Sequence, residues 1–190
     1  MASAELRIIN RRIKSVKSTK KITRAMELIA SSRIVKAQQR MESSNAYIDV
    51  LNAIVRDLAG GDSIGDENIN VSSNKVALVV ITSDRGLAGA YNSNILKLAE
   101  KKYKVLLDNN KEIQLITIGK KASGYFKYRN FIPESLYEGI TDEPKFENAF
   151  EVMRSLVEAY NDDELSEIYI LYTEYVSALN QKAIVKQLLP

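Results

Sequence analysis

Residues 1–59 read MASAELRIINRRIKSVKSTKKITRAMELIASSRIVKAQQRMESSNAYIDVLNAIVRDLA and contain neither glycine nor proline. The first break is the pair Gly60-Gly61. A continuous helix from Glu5 to Ala59 would be about 80 Å long at ~1.5 Å per residue. Helices of globular domains usually run about 8–20 residues, so this pattern points to a coiled coil, a membrane span or a repeat. A span needs about 20 mostly apolar residues in succession, and here a charge recurs every few positions.

The apolar spacing selects the coiled coil. Alternating steps of four and three from Ile9 visit Ile13, Val16, Lys20, Thr23, Glu27, Ala30, Ile34, Ala37, Met41, Ser44, Ile48, Leu51, Val55 and Leu58. Eleven of these fifteen positions are apolar, a sustained heptad seam. Lys20, Thr23 and Glu27 interrupt it in succession. Over the same stretch Ile22, Met26 and Ile29 form a displaced apolar row, read as a change of partner. Small residues at Ala30, Ala37 and Ser44 permit close approach of a second helix. A heptad seam must be buried, and no other segment is long enough to bury it. The partner is therefore a second copy, another chain, or a part of the protein missing from this one.

Charge is unevenly distributed. Residues 1–42 hold eleven Lys/Arg against Glu5, Glu27 and Glu42, a net of +8, although the whole chain carries only +3. The remainder is net −5. The basic half-shaft suits nucleic acid, anionic lipid or an acidic protein surface. Cysteine, histidine and tryptophan are absent. That removes disulfides, thiol nucleophiles, His/Cys metal sites and histidine-based catalysis. No segment suggests a paired carboxylate site, and no apolar signal-peptide core follows the N-terminal charges.

Beyond the shaft, residues 60–74 form a polar linker rich in turn formers. Residues 75–190 read as an α/β domain with a mainly parallel sheet. Its first strand is Lys75–Thr82, apolar and β-branched throughout. A glycine loop follows, then a helix from Tyr91 to Asp108, a strand Glu112–Ile118 and a short helix Lys120–Tyr128. Pro133 and Pro144 bracket an irregular stretch. A helix over Lys145–Tyr160 and strands Ile168–Val176 and Lys182–Leu189 complete the domain, with a hairpin turn at Ala178–Gln181. The loop Ser83–Asn92 (SDRGLAGAYN) supplies only a GxxG, from Gly86 and Gly89, and lacks the dinucleotide and P-loop fingerprints. A tight strand-to-helix turn needs glycine whether or not it binds anything, so a structural role is preferred over nucleotide binding.

Taken together, these segments resemble the gamma subunit of F-type ATP synthase. Residues Glu5–Arg40 resemble that family's opening helix, and Ile13–Met26 (IKSVKSTKKITRAM) its N-terminal signature. SDRGLAGAYN resembles the motif after the first strand of its α/β domain, and Gln187–Pro190 (QLLP) the end of its last strand. The resemblance implies a long N-terminal coiled-coil helix followed by a small Rossmann-like foot domain. It implies a non-catalytic central-stalk rotor, without cofactor or metal, that couples proton-driven rotation to ATP synthesis on other subunits. The partners implied are the alpha, beta and epsilon subunits and the membrane c-ring, with no nucleic acid.

By that resemblance Lys20, Lys21, Arg24 and Met26 would pass the acidic lever segments of beta. Ile9, Ile13, Val16, Ala30, Ile34, Ala37 and Met41 would form the seam. Arg33, Lys36 and Arg40 would face the foot or solvent. Asp84, Arg85, Gly86, Gly89, Tyr91 and Asn92 would serve the internal fold of the foot, or subunit contacts. The family's long C-terminal helix is not reached by Pro190, so a truncated gamma chain is expected. Without cysteine, the regulatory pair of chloroplast gamma subunits is excluded. The signature begins near Met1, so a bacterial protein on the cytoplasmic face of the inner membrane is expected. Two rivals are a DNA-binding basic coiled coil and a small nucleotide-binding enzyme using Asp84 and Arg85. Against the first, heptads run through the basic region and Tyr47 is the shaft's only aromatic.

Overall fold

The computed structural model describes residues 2–58, 73–177 and 179–190; the side chains of residues 2–3, 46, 51–52 and 54–58 fall outside that description. Residues 59–72 also lie outside it, so the expected linker is described only at Ser73 and Asn74, and Ala178 of the hairpin turn is excluded. The chain divides into two units, Met1–Asp66 and Glu67–Pro190.

The described part of the first unit is one helix, α1 (Ala2–Leu58), 57 residues long. It forms because nothing in its sequence breaks it. Its hydroxyl residues, weak helix formers, turn back on the preceding turn. Thr19 donates to the Ser15 carbonyl at 3.1 Å, Ser31 to that of Glu27 at 2.9 Å and Ser43 to that of Gln39 at 2.9 Å. The seam residues with described side chains are open to solvent within the unit: Ile9 is 52% exposed, Val16 68% and Ile34 57%.

The second unit is built from β1 (Lys75–Ile81), α2 (Tyr91–Asp108), β2 (Glu112–Ile118), α3 (Lys120–Tyr128), β3 (Ser135–Tyr137), α4 (Phe146–Asn161), β4 (Glu167–Ser177) and β5 (Asn180–Leu189). The five strands form one sheet in the order β3-β2-β1-β4-β5. Strand β1 pairs in parallel with β2 (Lys75 opposite Glu112) and with β4 (Val76 opposite Glu167). β3 adds in parallel to β2, and β5 closes the other edge antiparallel to β4. The sheet is mainly parallel, as expected. The three-residue β3 was not anticipated, because Pro133 and a short apolar run give no strand period.

Central placement explains the composition of β1. Val76, Leu78 and Val80 point into a core formed with Ile95, Leu96 and Ala99 of α2 and with Ala122 and Phe126 of α3. Ala77 and Val79 point to the opposite face, against Val152, Leu156 and Tyr160 of α4. A strand covered on both faces has no polar side, hence the uninterrupted run VALVVI. Phe126 is fully buried and meets Phe131 edge-to-face at 6.0 Å between ring centroids. The α2–α3 surface is clasped by Glu100. Its carboxylate accepts from Tyr125 Oη at 2.5 Å, Arg129 Nη2 at 2.6 Å and Lys104 Nζ at 2.9 Å. Those hydrogen bonds, from Tyr125 first, hold its pKa at about 2.

Candidate functional site

Two regions were singled out by sequence, and they lie in different units. On α1, Lys17, Lys20, Lys21 and Arg24 follow the i, i+3, i+4, i+7 spacing that places side chains on one helical face. All four are exposed. Arg24 Nη1 reaches both carboxylate oxygens of Glu27, at 2.8 and 2.7 Å. With side chains 66% and 61% exposed, this pair contributes little to stability. Lys20 and Lys21 have no side-chain partner among the described residues. Met26, beside them, is 46% exposed. The helix therefore presents a concentrated positive stripe flanked by apolar side chains.

In the second unit, the loop after β1 lies at the carboxyl ends of the parallel strands. Open α/β sheets bind ligands at this edge, where strand order reverses. Here Asp84 of that loop occupies the amino terminus of α3. The four N–H groups from Gly119 to Ala122, at the amino terminus of α3, have no partner within the helix; that of Gly119 donates to the Tyr137 carbonyl at 2.7 Å. Lys120 N–H donates to Asp84 Oδ1 at 3.0 Å, Lys121 N–H to the Ser83 carbonyl at 3.2 Å, and Ala122 N–H to Thr82 Oγ1 at 2.8 Å. The helix's own bonds begin at Ser123 N–H, which donates to the Gly119 carbonyl at 3.3 Å. The run Thr82-Ser83-Asp84 is thus the cap of a helix that begins 38 residues later. The negative charge favoured at a helix amino terminus is supplied by Asp84.

The same carboxylate gathers the next loop. Asp84 Oδ1 accepts from Gly139 N–H at 2.9 Å, and Oδ2 from Thr141 N–H at 3.2 Å and Thr141 Oγ1 at 2.6 Å. Partial burial opposes its charge, but the donors from Gly139, Thr141 and Lys120 outweigh that and hold its pKa at about 2. Arg85 pairs with Asp142 at 2.5 Å. Asn92, at the start of α2, closes the loop by accepting from Ser83 N–H at 3.0 Å. Gly89 takes φ +55°, while Gly86 lies over the Lys121 side chain. Tyr91 lines a mostly apolar cleft of about 500 Å³, with Ile81, Ile118, Ile140 and Val152; burial pushes its phenol pKa up.

Thr82, Gly119, Gly139 and Thr141 were missed by the sequence reading. Gly119 holds φ +96°, and a Cβ there would stand 2.3 Å from the Thr82 carbonyl oxygen. Thr141 and Asp84 are 57 residues apart, and no local pattern links them. Among the described residues no group of His, Cys, Asp or Glu could hold a metal ion, and no helix is long and apolar enough to cross a membrane.

Comparison with known proteins draws the two regions together. The family model described as ATP synthase matches residues 5–190. The ATP synthase gamma chain of Leifsonia xyli subsp. xyli is 41% identical over 194 residues, covering 98% of this chain and 64% of its own length. That of Mycobacterium ulcerans is 35% identical over 204 residues, covering 99% of this chain and 67% of its own. The chain thus spans about two thirds of the length of these relatives. In a solved structure of the central stalk and c-ring of Tetrahymena thermophila mitochondrial ATP synthase, one chain shares the fold. Its TM-score is 0.65 at 21% identity, over 89% of this chain and 72% of that one. A helix of 57 residues, a parallel α/β domain and a match running through both establish that the chain belongs to the gamma-chain family of ATP synthase.

Proposed function

We propose that this chain acts as a central-stalk rotor of F-type ATP synthase. Proton-driven rotation of a c-ring would turn the α/β foot, and α1 would carry that rotation to catalytic sites held by alpha and beta subunits. The chain would itself be non-catalytic and peripheral to a bacterial inner membrane, on its cytoplasmic side, through the complex. Epsilon and the c-ring would contact the foot.

The observation that carries this reading is the state of α1. A 57-residue helix displays a heptad seam and a basic stripe, both uncovered within their unit. Helices are stabilised chiefly by burying an apolar face, so such a helix requires an assembly around it. Lys20, Lys21, Arg24 and Met26 would meet acidic lever segments of beta where the seam changes row. Ile9, Ile13, Val16, Ala30, Ile34, Ala37 and Met41 would pair with a second helix. Asp84, Arg85, Gly86, Gly89, Tyr91 and Asn92 would hold the foot in shape. The self-satisfied cap supports that role over nucleotide binding, because the α3 amino terminus already holds a carboxylate.

Co-purification with alpha and beta subunits tests the assignment; a chain that does not assemble with them contradicts it. In an assembled complex, replacing Lys20, Lys21 and Arg24 together by alanine is expected to weaken coupling. Unchanged ATP-driven rotation would remove those residues from the mechanism. Saturable micromolar ATP binding by the chain alone would support the nucleotide-binding alternative instead.

A further inference from the structure

Helix α4 buries one face against the sheet and leaves a second apolar row outside. Val152, Leu156 and Tyr160 are in the core. Phe146, Phe150 and Val157 follow the i, i+4, i+11 spacing of a single row and are 75%, 54% and 39% exposed. The two phenylalanine rings stack on each other with centroids 6.1 Å apart and planes 26° from parallel. The domain's core is complete without them, so they add nothing to its interior. Other large apolar side chains of this unit, such as Leu87 and Ile132, are exposed too, but Phe146 and Phe150 are stacked on each other in one row with Val157, and a contiguous apolar row in water marks an interaction surface.

The flanking charge specifies the occupant. Glu147, Glu151 and Glu158 occupy a second row of α4, beside the aromatic one. Within α4 these three glutamates stand against a single basic side chain, Arg154. Of the three glutamates in that row, Glu158 is engaged, by Arg154 at 3.4 Å. We propose that the outer face of α4 is a docking surface for a basic amphipathic helix of a partner chain. Its apolar side chains would cover Phe146 and Phe150, and its Lys/Arg row would lie against Glu147 and Glu151. An acidic or purely apolar partner would leave those two carboxylates desolvated and unpaired. The inference rests on α4 alone and is independent of the rotor reading.

A fluorescein-labelled amphipathic peptide of leucine and lysine at helical spacing serves as the probe, read by anisotropy with the full chain at low and high salt. Saturable, salt-weakened binding is expected. Phe146→Ser with Phe150→Ser should weaken it by at least about tenfold, since the contact is apolar. Glu147→Gln with Glu151→Gln should weaken it by about threefold and flatten the salt dependence. Both double variants should keep the wild-type unfolding midpoint, because the altered side chains are exposed. No binding by the wild type, or equal binding by the serine variant, would overturn the proposal. A chain dimer that dissociates in the serine variant would identify a second copy as the occupant, and would overturn it equally.

Discussion

The apolar residues of α1 and of β1 have opposite fates. On β1, Val76, Ala77, Leu78 and Val80 are wholly inaccessible to solvent, whereas on α1 Ile9, Val16 and Ile34 are more than half exposed. Both segments are rich in aliphatic side chains; what differs is the period. Continuous β-branched residues need cover on two faces, and α2, α3 and α4 supply it from within the same domain. A heptad stripe needs one long partner, and the described residues hold none. The second unit covers its strands from within, whereas the seam of α1 stays open among the described residues.

The difference can be attacked first where the foot is most constrained. Gly119→Ala should destabilise the foot by about 3 kcal/mol or more, because φ +96° is strained for alanine and its methyl would meet the Thr82 carbonyl. Denaturant unfolding monitored on the foot checks this; a loss under about 1 kcal/mol would mean the turn relaxes freely. Asp84→Ala comes next, at about 1–3 kcal/mol, since Lys120, Gly139 and Thr141 lose their acceptor together.

Asp84 also gives the comparison a pH signature. Its folded pKa of about 2 lies below the ~3.9 of an unfolded aspartate. Its stabilisation is therefore present above about pH 4 and lost as pH falls toward 2. Acid titration of stability should be flatter over that window in Asp84→Ala than in the wild type. Glu100→Gln should cost less, about 1 kcal/mol, and should act in the same direction, because its pKa is likewise lowered to about 2. The smallest effect is expected on the shaft. Ile13→Ala should change the unfolding of the chain alone by about 0.5 kcal/mol or less, since its side chain is 46% exposed.

What was legible in the sequence follows the range of the interactions. The helix of residues 2–58 was readable because its signal, heptad spacing without glycine or proline, is local and repeated many times. β1, α2, β2, α3 and α4 carry their burial pattern in consecutive residues, and their bounds agree with the reading to within one residue. β3 was not readable: Ser135–Tyr137 is a strand only because Ile116, Thr117 and Ile118 of β2 pair with it. At the loop cluster, Asp84 and Asn92 stood out as part of a motif. Thr82, Gly119 and Thr141 did not, because each acquires its role from a residue 36 to 57 positions away. The outer row of α4 was hidden for another reason. Periodicity marks apolar rows on α4 but does not say which of them the sheet covers.

Amide hydrogen exchange, followed element by element in the chain alone and after assembly with alpha and beta subunits, tests the central claim most directly. In the chain alone, the amides of β1, β2 and β4 should exchange slowly, through global opening of the foot, while those of α1 exchange far faster. On assembly, protection should appear along α1 and remain unchanged in β1. Protection of α1 equal to that of β1 in the dilute chain alone, or none gained on assembly, would contradict a shaft that awaits its partners.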